Sequence, residues 1–143
     1  MTALTFSLHP QLAADTATVG DLSLSRVLLM NDANYPWLIL VPRLPAVTEI
    51  IDLEHNAQIQ LTGEIAKAAE ALKALTACDK LNVAALGNMV PQLHVHVIAR
   101  RRTDAAWPKP VWGVAPAKPY DAAAREQLVG DLRRALQITA PRD

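Results

Sequence analysis

The residues best suited to chemistry in this chain lie in PQLHVHVIARRR, Pro91 to Arg102. Two of the four histidines, His94 and His96, sit there, and Gln92 stands two residues before the first of them. Leu93, Val95 and Val97 occupy the positions between and after. Strand side chains alternate faces, so Gln92, His94 and His96 line one side at steps of about 6.5–7 Å, with the apolar set on the core side. Imidazoles placed this way can act together on one small ligand, one attacking while its neighbour donates a hydrogen bond. The spacing alone admits three readings: the polar face of a half-buried strand, a metal site, or a row of side chains for phosphate chemistry.

A structural metal site needs about four ligands, and Cys78, His9 and His55 would have to join from distant segments that lack ligand spacing of their own. The phosphate reading gains from the residues upstream. Gly87 and Asn88 interrupt the chain six residues before His94. A glycine lets the backbone come close to an anion, and an asparagine amide donates to a phosphate oxygen without adding charge.

These residues need elements to hold them. Leu22 to Asn31 opens with alternation and closes in an apolar run, which predicts a strand covered on both faces near its end. DANYP is a turn cluster, and Trp37 to Val41 is a second buried strand stopped by Pro42, so the pair is an antiparallel hairpin. LPAVTEIIDL reads as a helical turn. A helix follows, with Leu61, Ile65, Ala68, Leu72 and Leu75 in one stripe and Asn56 as its N-cap. Gly63 inside it costs about 1 kcal/mol relative to alanine. KLNVAALG and QLHVHVIAR are the next strands, and a segment rich in Pro and Trp leads to a last helix capped by Asp121, with Leu128, Leu132 and Ala135 on its apolar side. The first twenty residues read as a short helical or irregular segment. Hairpin strands with one long packed helix predict an α+β fold with an antiparallel sheet.

The whole chain narrows the options. Its 143 residues predict a single domain over 1–143, and the 51% apolar composition argues for a folded core. Balanced charge, formally net zero, points to neither duplex nucleic acid nor an acidic membrane. The single Cys78 cannot form an internal disulfide, which fits a reducing compartment. MTALTFSLHP has no basic leader region, and no run reaches the ~18 apolar residues of a membrane helix. The expectation is a cytoplasmic protein.

GNMVPQLHVHVIAR resembles the signature of the histidine triad (HIT) superfamily, in which three histidines alternate with apolar residues after a Gly-Gln pair. VLLMNDANYPWLILVPRLPAVTEIIDL resembles that family's first hairpin and the turn into its long helix, so the likeness covers about Leu22 to Arg102. WPKPVWG is similar to a bacterial subgroup. Two positions depart from the pattern: Gln92 stands for the first histidine and Asn88 for the usual glutamine.

The resemblance implies an antiparallel sheet of about five strands, a long packed helix and a C-terminal helix. It also implies a homodimer, no cofactor, and attack by His94 on the α-phosphorus of a nucleotide conjugate such as a phosphoramidate or dinucleoside polyphosphate. Water would then release the nucleoside monophosphate. Such attack needs a neutral ring, and an ordinary histidine is mostly neutral at pH 7. In the family a main-chain carbonyl on the same hairpin orients the ring. His96 would contact the phosphate or leaving group, Gln92 would hydrogen-bond without titrating, and Gly87 and Asn88 would hold a phosphate oxygen.

Asn31 falls where the family holds the ribose hydroxyls, although NDAN also favours a turn by itself. Arg100, Arg101 and Arg102 read as a solvated charge run, Trp107 and Trp112 as core or interface anchors, and His55 as a capping or surface residue. Three functions remain in order: a nucleotide hydrolase or transferase, a nucleotide-binding protein with little turnover, and a metal-binding protein.

Overall fold

Short apolar runs rich in Leu, Val and Ile form the middle of the sheet because both of their faces can be buried. A computed structural model describes residues 5–142. The element order is α1 (Pro10–Asp15), β1 (Thr16–Asp21), β2 (Ser25–Met30), β3 (Trp37–Pro42), a 3-10 turn (Ile50–Asp52), α2 (His55–Thr76), β4 (Lys80–Ala84), β5 (Val95–Arg100) and α3 (Ala122–Leu136). The five strands form one antiparallel sheet in the order β1-β2-β3-β5-β4. The α+β class, the strand count, the long helix and the C-terminal helix match the expectation. The part of the leader reading that falls on Met1 to Leu4 lies outside the described residues.

Alternation along β3 and β5 divides the core. Leu38, Leu40, Val97 and Ala99 face one layer, where Ala68, Ala71 and Leu72 of α2 and Val129, Leu132 and Leu136 of α3 pack. Trp37, Ile39, Val41 and Ile98 face the other layer, with Leu12 of α1 and Ala106 and Val111 of the segment after β5. His96 sits opposite Ile39, so it shares this second face. Helices cover one side of the sheet, and α1 with the 104–120 segment walls the side that holds the histidines.

The structure corrects several local expectations. Residues 16–21 form an edge strand rather than an irregular segment; a bulge lies between Thr18 and Gly20. A Cβ on Gly20 would collide with the Thr139 carbonyl, so only glycine fits this close approach. The strand read as QLHVHVIAR begins only at Val95. Helix α2 starts at His55, one residue before the expected cap, with Glu54 as its N-cap residue. Leu75 is 40% exposed, and Glu64 takes a buried place on the packed face. Its two carboxylate oxygens accept from the Leu24 and Ser25 N–H groups at 2.8 Å, which satisfies the β1–β2 turn from the helix. On α3, Asp121 caps as expected, but Val129 and Leu136 are buried where Ala135 is exposed. Gly63 has open space around it and serves no close approach.

The arginine run also differs from a solvated face. Arg100 is only 1% exposed. Its guanidinium pairs with both Asp104 oxygens at 2.7 and 3.0 Å, donates to Asn82 Oδ1 at 2.8 Å, and lies over the Tyr35 and Trp107 rings. Asp104 also accepts from the Arg101, Ala106 and Trp107 N–H groups. Burial alone would raise the Asp104 carboxyl, but these donors outweigh it and hold it at about 2. The ion pair anchors the segment that carries Trp112 over the histidines.

Candidate active site

His94 and His96 are 7% and 5% exposed, and their rings meet edge to face at 4.9 Å between centroids. Different elements hold them. The chain before β5 curls so that His94 Nδ1 lies 2.7 Å from the Gln92 carbonyl oxygen. A carbonyl only accepts, so Nδ1 carries the hydrogen and Nε2 keeps a free lone pair. His96 Nδ1 lies 3.0 Å from the indole Nε1 of Trp37. Burial, and then the neighbouring His94, push the His96 imidazole down to about 4.

A cavity of about 340 Å³ opens on both rings, bordered by Asp15, Met30, Asn88 and Trp112. Two more hollows adjoin it. One, of about 370 Å³, shares Asp15, Met30 and Trp112 and adds Asn31, Asp32 and Trp37. The other, of about 270 Å³, shares Leu86, Gly87 and His94 and adds Thr48, Glu49, Ile50 and Ile51. His94 thus stands where two of the three hollows meet. No lysine or arginine is among the described residues that line them.

The structure brings His94, His96, Gly87 and Asn88 to one cavity. Gly87 takes φ +77°, a conformation that glycine adopts without strain. Gln92 turns elsewhere. Its Nε2 donates to the Ser7 carbonyl at 2.9 Å, and its Oε1 accepts from the His9 N–H at 2.8 Å. Its side chain therefore ties down the start of α1, while its carbonyl orients His94. Asn31 borders the adjoining hollow, and its Oδ1 accepts from the Tyr120 N–H at 2.9 Å. That bond, with Asp32 accepting from the Lys118 N–H and Asn34 donating to the Pro116 carbonyl, clamps the end of the Trp112 segment. His55 is exposed at the first turn of α2. Cys78 is buried in the helix-side core, and no group of three metal-ligating side chains occurs among the described residues.

Sequence reasoning missed Trp37 as a site residue. It read Trp37 only as an apolar strand residue, although a buried indole N–H usually finds an acceptor. Trp112 was read as an anchor, but it is 37% exposed and walls both the histidine cavity and the hollow beside Asn31.

Comparison with known proteins agrees with this fold. A family model, the HIT domain, matches residues 11–103. The chain belongs to the histidine triad (HIT) family. A histidine triad protein from Bradyrhizobium japonicum is 56% identical over 93% of this chain and 99% of its own, with a TM-score of 0.91. A histidine triad protein from Marinobacter aquaeolei is 47% identical over 93% and 97%, with a TM-score of 0.90. One from Sinorhizobium meliloti is 42% identical over 91% and 96%, with a TM-score of 0.89. No curated protein sequence matches the chain significantly. HIT proteins generally bind nucleotides and act on nucleotide phosphates. Among the described residues, no helix is long and apolar enough to cross a membrane.

Proposed function

We propose that this HIT protein cleaves a nucleotide conjugate at its α-phosphate through a covalent nucleotidyl intermediate on His94. The observation that carries the reading is the 2.7 Å contact between His94 Nδ1 and the Gln92 carbonyl, which leaves Nε2 as a lone pair beside the cavity. An imidazole nucleophile needs that arrangement. When Nε2 bonds to phosphorus the ring becomes cationic, and the same carbonyl stabilises the hydrogen on Nδ1. Water then attacks the phosphorus and releases the nucleoside monophosphate.

Each remaining residue has a part in the reading. His96 donates to the phosphate or leaving group, and Gly87 and Asn88 hold a non-bridging oxygen. The free amide hydrogens of Asn31 serve the ribose. Gln92 acts through its main chain, with its side chain holding α1 in place. The absence of lysine and arginine among the described lining residues favours a substrate with one phosphate over a polyphosphate chain, whose extra charges would lack partners. Phosphoramidates and simple phosphate esters of a nucleoside fit better than dinucleoside polyphosphates.

The functional unit in this reading is a cytoplasmic homodimer. The outer edge of β4 has no strand partner among the described residues, and Val83 on it is 50% exposed. Such an edge pairs readily with a second copy. Sedimentation of the purified chain checks the dimer.

The test of the reaction is a mass-resolved assay of nucleoside phosphoramidates and dinucleoside polyphosphates with an acid-free quench. Nucleoside monophosphate release and a nucleotidyl adduct on His94 are the expected result. Nucleotide binding with neither product nor adduct would instead make the protein a binder with little turnover.

A further inference from the structure

Trp37 and His96 meet across β3 and β5. Ile39 is the direct partner of His96, so Trp37, two residues along, is its diagonal neighbour on the same face. The indole nitrogen is 3.0 Å from His96 Nδ1, and an indole N–H can only donate. Nδ1 therefore holds a lone pair, and the neutral ring carries its hydrogen on Nε2. The ring is boxed in. Trp37 and Trp112 flank it at 5.6 and 5.1 Å between centroids, and they meet each other edge to face at 5.8 Å.

The titratable groups that face His96 are His94, just ahead of β5, and Asp15, which borders the same cavity from the end of α1. From β3 come Trp37 and Ile39, and from the segment after β5 comes Trp112, none of which carries charge.

We propose that Trp37 is a positioning residue that holds His96 as an uncharged Nε2–H donor throughout the reaction, so that His96 gives the leaving group a hydrogen bond but not a proton. A second hydrogen on Nδ1 would point at the indole N–H, two donors face to face on the buried side of the ring. Burial, and then the neighbouring His94, push the ring in the same direction. The catalytic half of the proposal rests on His94 as nucleophile; the tautomer half does not.

The bond changes follow. His94 Nε2 forms a bond to phosphorus as the bond from phosphorus to the leaving atom breaks. The electron pair of that bond departs with the leaving group: an ester oxygen leaves as the anion and takes its proton from water afterwards, whereas a phosphoramidate nitrogen takes a proton from solvent before the bond breaks. Water then attacks phosphorus, loses a proton to solvent, and frees His94. With no acid at hand, the rate depends steeply on the acidity of the leaving group.

Two measurements on the whole protein test this. The first is ¹⁵N NMR of labelled histidines, on the intact chain, on Trp37→Phe, and on the chain with benzothienylalanine replacing Trp37. Benzothienylalanine keeps the shape of the indole and removes only its N–H, which guards against a folding defect in Trp37→Phe. In the intact chain His96 should show hydrogen on Nε2 alone from about pH 8 to about pH 5. In both replacements its titration should move up by about one pH unit or more. The second is cleavage of aryl esters of a nucleoside monophosphate at about pH 5.5. Rates should fall steeply with phenol pKa in the intact chain and less steeply in the replacements.

Hydrogen on Nδ1, or ordinary titration near pH 6.5 in the intact chain, overturns the proposal. If the tautomer holds but no adduct forms on His94, the nucleophile reading fails and the catalytic half fails with it, while the hold of Trp37 on His96 stands.

Discussion

His94 and His96 are two residues apart and almost equally buried, yet different parts of the chain hold them. His94 leans on a main-chain carbonyl, and His96 leans on an indole side chain. Both contacts use Nδ1, but the partner of one accepts and the partner of the other donates. The same residue type thus presents a lone pair at one position and an N–H at the next. A main-chain partner survives any substitution that leaves the backbone in place, whereas a side-chain partner is lost with its own residue. The proposed nucleophile is held in the robust way and the proposed donor in the fragile way.

The comparison breaks most visibly at His94. His94→Ala should remove the adduct entirely and lower turnover by about 10⁴-fold or more, because the neighbouring imidazole, His96, presents an N–H rather than a lone pair. Product release under single-turnover conditions measures it. Residual release near the intact rate would mean that water attacks directly and that His94 is not the nucleophile. His96→Ala should cost less, about 10²-fold, the usual loss for one donor to a developing charge. Adduct should still form in that variant, more slowly. Adduct formation at the intact rate would remove His96 from the transition state.

How far the sequence showed this pair is itself uneven. Alternation along HVHVIAR exposed the histidines and their apolar neighbours, because strand period is a local property. The glycine and asparagine before His94 marked two further residues of the same cavity for the same reason. The partners were another matter. Trp37 lies 59 residues from His96 in the chain, and only strand register joins them. Gln92 looked like the first member of a polar row because the row was drawn as continuous strand. The strand begins later, so its amide is free to turn toward Ser7 and His9, 85 and 83 residues away. Arg100 was hidden in part for a similar reason: Asn82, 18 residues away, reaches it only when β4 pairs with β5, while Asp104 lies four residues on. Edge strand β1 escaped notice because TATVGD is short and half-exposed, with a bulge that interrupts its period.

Acid exposes the fragile partner next. The unfolded chain takes up a proton on His96 below about pH 6.5, while the folded chain does so only below about 4. The unfolded state therefore binds more protons between those values. Stability from this group is complete above about pH 6.5, falls as pH drops, and levels off below about 4. Between about pH 7 and about pH 5 the loss should be roughly 2 kcal/mol. Asp104 runs the same way at lower pH: its contribution is complete above the usual carboxylate range and is lost only as pH falls toward about 2. The two windows scarcely overlap. Urea unfolding of the intact chain and of His96→Gln at both pH values separates them. An equal loss in both chains would show that His96 is not what acid destabilises.

The smallest expected effect is at Gln92, where the comparison is sharpest. If the robust partner of His94 is the main chain, the side chain at 92 should matter little to chemistry. Gln92→His restores the alternating triad on paper. In this fold, however, the position points toward Ser7 and His9 rather than the cavity. The replacement should therefore change kcat by less than about threefold, with a stability loss of about 1 kcal/mol from the two amide hydrogen bonds. Gln92→Ala should behave the same way in kcat and lose slightly more stability, because α1 is then tied less firmly. A gain of about 10²-fold in Gln92→His would show that a titrating side chain at 92 reaches the reaction after all. The carbonyl would then be only part of what holds His94, and the contrast between its partner and that of His96 would weaken.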